Sequence, residues 1–124
     1  MRVQVAHPAD HEQIVALPYR MRLDEWQMDN VHSVLGLHRH VVKLVEFEHS
    51  SYVVKELPDH LALREYRLLR ELAEEGLPTV EAVAAVTNRS VGEGLIVTRH
   101  LDYSLPYRSL LMGRGLKIPY LGER

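Results

Sequence analysis

Tyr52-Val53-Val54-Lys55-Glu56-Leu57-Pro58-Asp59 changes texture within a few residues, from a β-branched run to a helix start. Period-two alternation puts Val53, Lys55 and Leu57 on one face and Tyr52, Val54 and Glu56 on the other. The run therefore predicts a strand from Tyr52 to Leu57 whose lysine sits among apolar neighbours. Pro58-Asp59 opens a helix, and the stripe Leu61, Leu68, Leu69, Leu72 carries it to Gly76, a good C-terminal stop. Glu65 falls inside that stripe, four residues from Leu61 and Leu69 and three from Ala62 and Leu68. A lone carboxylate facing a core is costly unless a cation meets it. Lys55 meets that need if its strand face packs against the helix. A rotation of the helix by a third of a turn would instead leave Glu65 on a solvated rim beside Arg64 or Arg67.

Upstream, Val34, Val41, Val42, Val45 and Phe47 make one or two further strands, and Glu48-His49-Ser50-Ser51 is the hairpin turn before the Tyr52 strand. Downstream, Thr79–Thr87 and Leu95–Leu101 read as strands joined by an Asn88–Gly94 hairpin loop. The first thirty residues carry weaker signals. A short helix from His7-Pro8-Ala9-Asp10 to Leu17, stopped by Pro18, and a helical turn at Leu23-Asp24-Glu25-Trp26 are expected, with Trp26 as a core anchor. The whole is an α+β domain: an antiparallel sheet of about five strands with one packed helix and a short N-terminal helical segment. We divide it into a 1–30 N-terminal extension, a 31–103 lobe and a 104–124 segment after that lobe.

The composition narrows the partners. In 124 residues, 15 basic and 17 acidic side chains are interspersed, which disfavours nucleic acid and anionic lipid as partners. No cysteine is present, no apolar run approaches the roughly 20 residues of a membrane span, and the N-terminus lacks a signal-peptide core. A cytoplasmic protein is the simplest reading. His38 and His40 share strand parity, yet no third ligand follows at metal-binding spacing, so no metal is expected. Hydrolase elbows and P-loops are absent.

Together the lysine-bearing strand, Arg64-Glu65-Tyr66-Arg67-Leu68-Leu69-Arg70-Glu71-Leu72, Gly76-Leu77-Pro78, Thr98-Arg99-His100-Leu101 and Ser104-Leu105-Pro106-Tyr107-Arg108 resemble the N-lobe of a kinase-like fold. The resemblance is to bacterial lipopolysaccharide kinases of the Kdo/WaaP type and a related uncharacterised bacterial family, and it covers roughly residues 34–111. It implies an ATP-binding, phosphotransferase-type lobe, with magnesium in the complete fold. It also implies that Lys55 holds phosphates, Glu65 orients Lys55, Val53 caps the adenine ring and the Arg99-His100-Leu101 backbone meets the adenine edge. The glycine-rich loop of kinases is reduced to one glycine in Gly36-Leu37-His38-Arg39-His40, which leaves His38, Arg39 or His40 as side-chain phosphate contacts.

The catalytic base and metal ligands of that fold come from the lobe after the hinge. The last aspartate here is Asp102, so the expectation is a fragment, inactive alone, that works with a C-lobe or with a partner chain in trans. The competing expectation is a stand-alone α+β protein-binding module, or a pseudokinase piece, in which Lys55 and Glu65 form only a structural pair.

Overall fold

A computed structural model describes residues 1–34 and 40–100. Six strands form one antiparallel sheet: β1 (Arg2–Val5), β2 (Val31–Ser33), β3 (Val42–Glu46), β4 (Ser51–Leu57), β5 (Ala82–Thr87) and β6 (Gly94–His100), ordered β1-β5-β6-β4-β3-β2. Two α-helices, α1 (His11–Val15) and α2 (Asp59–Glu74), and two one-turn 3-10 helices complete the described chain. The sheet has one strand more than expected. Arg2-Val3-Gln4-Val5 pairs with β5, Val3 opposite Val86, so the first residues are an edge strand of the sheet itself.

Strand β4 is central and amphipathic in the opposite sense on each side. Val54 pairs with Val97, and both face a core that buries Ile14, Leu17, Tyr19, Leu23 and Trp26 from the N-terminal segment. Lys55 pairs with Ile96 on the other face, where Leu57, Ala82, Ala85 and Ile96 pack against Ala62 and Tyr66 of α2. The result is three layers: N-terminal segment, sheet and helix α2.

Helix α2 begins at Pro58-Asp59, as its sequence predicts, and ends in a glycine cap. Gly76 has φ 77°, its N–H donates to the Ala73 carbonyl, and the Leu77 N–H donates to the Leu72 carbonyl. The buried stripe differs from the leucine count. Ala62 and Tyr66 go inward with Leu69 partly covered, whereas Leu68 is 53% exposed. Alanine allows the helix to approach the sheet closely, so contact follows the small residue and leaves the outer leucine in solvent.

The start of α2 is clasped by the β5–β6 hairpin. The Asp59 carboxylate accepts the Asn88 N–H at 3.0 Å, and Asn88 itself holds φ 57°. A Cβ on Gly94 would stand 2.8 Å from Asp59 Oδ1 and 2.9 Å from the Val86 carbonyl oxygen, so glycine is required there by space.

On the other face a buried ion pair fastens the N-terminal layer. Arg89, with a fully buried side chain, meets Glu56 Oε2 at 3.0 Å. Three of its other N–H groups donate to the carbonyls of Tyr19 (2.9 Å), Glu93 (2.9 Å) and Met21 (2.5 Å). Glu56 also accepts the Leu23 N–H at 3.1 Å. The Tyr19 hydroxyl donates to the Ile14 carbonyl, and burial pushes this phenol well above its ordinary range despite the nearby Arg89 charge. Arg89→Met leaves the buried Glu56 carboxylate without its cation and the Tyr19, Met21 and Glu93 carbonyls without this donor. Urea unfolding of that variant is expected to show a loss of about 3–5 kcal/mol. A loss under about 1 kcal/mol, the level of a solvated pair, would show that Glu56 does not depend on Arg89.

Candidate functional site

Helix α2 lies mainly over β5 and β6, and among the described residues no other helix packs on that sheet face. Register places Val42 opposite Lys55, Leu44 opposite Val53 and Val53 opposite Thr98, so these side chains share the face on which α2 packs. All are only partly covered. They form a shallow apolar floor with Lys55 at its border with the helix.

Lys55 Nζ stands 3.1 Å from Glu65 Oε1, with the two side chains 33% and 34% exposed. The expected pair forms, but not as a core pair. Glu65 lies on the flank of the helix, one residue before buried Tyr66, where it reaches across to β4 while its edge stays wet. A partly exposed ammonium held by a carboxylate is a group that can meet an anionic ligand.

The remaining expected residues divide. Val53 lies on the apolar floor, two positions from Lys55. His100, opposite Ser51, ends β6 at the far end of the same face. Arg99 stands apart from them. Its side chain turns to the opposite face, opposite Tyr52, and its N–H already donates to the Glu81 carbonyl at 3.0 Å. The Arg99 amide N–H is therefore already occupied within the sheet. Arg39 and Leu101 lie outside the described residues.

Several polar residues around the sheet carry no signal in the sequence. Asp10, 5% exposed, meets Arg99 Nη2 at 2.6 Å through Oδ2, and its Oδ1 accepts the Tyr52 hydroxyl at 2.7 Å. Burial pushes the Tyr52 phenol above its ordinary value, and the adjacent Asp10 carboxylate acts in the same direction. Arg89 is likewise visible only as a partner in space; alternation places Glu56 on the Tyr52 and Val54 face but does not name its cation. Among the described residues no cluster of three or more His, Asp or Glu side chains could hold a metal ion. No helix there is long and apolar enough to cross a membrane.

An antiparallel sheet with one helix packed across it, and a strand lysine paired to a glutamate of that helix, defines a kinase-like N-lobe. The chain belongs to the lipopolysaccharide kinase (Kdo/WaaP) family, whose family model matches residues 9–109. Among solved structures it is similar to a chain described as "WaaP in complex with acyl carrier protein", at 22% identity and a TM-score of 0.50. That match covers 96% of this chain and 49% of the other, so the chain spans about half the length of the structure it matches. No match to a curated protein was found. The match supports the kinase-like fold.

Because the Lys55–Glu65 pair is a third exposed, its contribution to stability is small, about 0–1 kcal/mol. Lys55→Met and Glu65→Gln are expected to unfold within about 1 kcal/mol of the parent in urea. A loss of about 3 kcal/mol or more in either would place the pair among buried structural bridges instead.

Proposed function

We propose that the open half of the α2 face is an ATP-binding surface and that the chain is the nucleotide-holding part of a phosphotransferase. The carrying observation is the Lys55–Glu65 pair at the edge of the Val42, Leu44, Val53, Thr98 floor. Lys55 meets the phosphates and Glu65 fixes the direction of its ammonium. Val53 supplies apolar contact to the adenine ring, and the His100-Leu101 backbone meets the adenine edge. Arg39 is the side-chain phosphate contact proposed in place of the missing glycines. The chemistry of the donors fits the ligand, with one cation for the phosphates and an apolar floor for the base. Magnesium, which neutralises phosphate charge in the complete fold, takes its ligands there from residues after the hinge. A cytoplasmic ATP supply accords with this reading.

These residues make one wall of a site, whereas a tight small-molecule pocket surrounds most of its ligand. They hold and orient a nucleotide but supply neither the base nor the metal ligands of transfer, so the complete reaction draws on a C-lobe or a partner chain. A protein-docking reading is favoured by exposed Leu68, Leu77 and Val80 on and after α2. The matched WaaP structure, described as a complex with acyl carrier protein, supports protein docking as a further property to test.

Isotope-labelled chain titrated with ATP is expected to show amide shifts at Val53, Lys55 and His100 with a Kd of about 1 mM, near −4 kcal/mol. Radiolabelled ATP is expected to give no phosphotransfer by the 124 residues. Shifts confined to the N-terminal layer would overturn the assignment of the face. Turnover that disappears in Lys55→Met would show that these residues suffice for the chemistry.

A further inference from the structure

Arg99 lies next to the proposed adenine edge, yet its guanidinium is committed to the far side of the sheet. It stands 5.6 Å from the centre of the Tyr52 ring, with Nη2 on Asp10 at 2.6 Å and Nε on Glu81 Oε1 at 3.1 Å. Asp10 is buried, belongs to the N-terminal 3-10 turn, and takes the Tyr52 hydroxyl on its other oxygen. Gln13 Oε1 lies 2.7 Å from the same hydroxyl and accepts Ser50 Oγ at 2.8 Å. One buried carboxylate thus ties the N-terminal layer to β4 through Tyr52 and to β6 through Arg99.

Both ties sit one residue from the Ser51–His100 pair, the last rung of the β4–β6 ladder. Lys55 is three residues from Tyr52 along β4, about 10 Å away, and on the opposite face. A disturbance at Asp10 therefore reaches the base end of the site before the phosphate end. Charge-assisted bonds to a buried carboxylate are strong and directional, so they fix the position of the strand end as well as its stability.

Resting on the ATP reading above, we infer that Asp10 is a positioning residue for the adenine end of the site, acting through Arg99 and Tyr52. The N-terminal segment is thereby part of the nucleotide site without touching the nucleotide. Remote positioning of this kind changes affinity by roughly three- to tenfold.

The test compares ATP with inorganic tripolyphosphate, which lacks the base, by amide-shift titration of the whole chain and three variants. Asp10→Ala is expected to weaken ATP roughly three- to tenfold and to leave tripolyphosphate binding unchanged. Asp10→Asn, which keeps an oxygen acceptor for Tyr52, is expected to recover part of the loss, and it carries the comparison if Asp10→Ala fails to fold. Lys55→Met is expected to weaken both ligands. Equal weakening of both ligands by the Asp10 variants would mean general loosening and would overturn the inference, as would no change in either. A parent chain that binds tripolyphosphate and ATP equally would remove the adenine end itself. One that binds neither would remove the site reading together with this inference.

Discussion

The arrangement depends on the buried contact between Arg89 and Glu56. Every nitrogen of this guanidinium donates, to one carboxylate and to the carbonyls of Tyr19, Met21 and Glu93. Those partners come from three places: the N-terminal segment, strand β4 and the β5–β6 hairpin. A charge with no access to water tolerates little displacement, because each lost partner costs desolvation that nothing returns. The N-terminal segment is therefore fixed over one face of the sheet, and β4 and β6 become the middle of a three-layer stack.

Strand alternation then assigns the two neighbouring charges of β4 to different tasks. Glu56 points into the N-terminal layer and is buried, while Lys55 points to the helix side and stays a third exposed. A fully dry Lys55 would be a structural partner and little else; a fully wet one would move freely and be screened. At the border of α2 it is oriented by Glu65 and still open to a ligand. The asymmetry of the sheet gives the same division on a larger scale. Among the described residues, one face is closed by packed aromatic and aliphatic side chains, and the other is covered by α2 over only part of its width. Asp10 connects the two faces, since the residues it holds on the closed side are neighbours of those ending the open side.

Much of this is legible in the sequence where a local period determines the structure. The β4 alternation, the Pro58-Asp59 start and the Gly76 stop follow from spacing, whereas the meeting of Lys55 with Glu65 is one of two arrangements that spacing leaves open. The rotation of α2 does not follow from it, because counting leucines ignores how closely Ala62 lets the helix approach. Strand β1 has the alternation Arg2-Val3-Gln4-Val5, but four residues gain their partner only from β5, some eighty positions away. The resemblance implies a backbone role for Arg99 and is silent on its side chain, which the pairing with Tyr52 sends to the opposite face. Asp10 and Arg89 carry no local signal, and alternation places Glu56 on a face without naming its cation, since a buried polar residue is recognised by the partners that satisfy it and those are distant in sequence.

The central claim is that Lys55 faces bound phosphates. An ATP analogue bearing an acyl phosphate transfers its acyl group to an amine lying beside the phosphates, and peptide mass spectrometry then locates the modified lysine. The sequence contains Lys43, Lys55 and Lys117, so the outcome is readily resolved. The account predicts modification at Lys55, suppressed by excess ATP and reduced in Glu65→Gln. Equal modification of Lys43, whose ammonium donates to Ser33 Oγ at 2.9 Å on an exposed part of the sheet, with no protection by ATP, would contradict it.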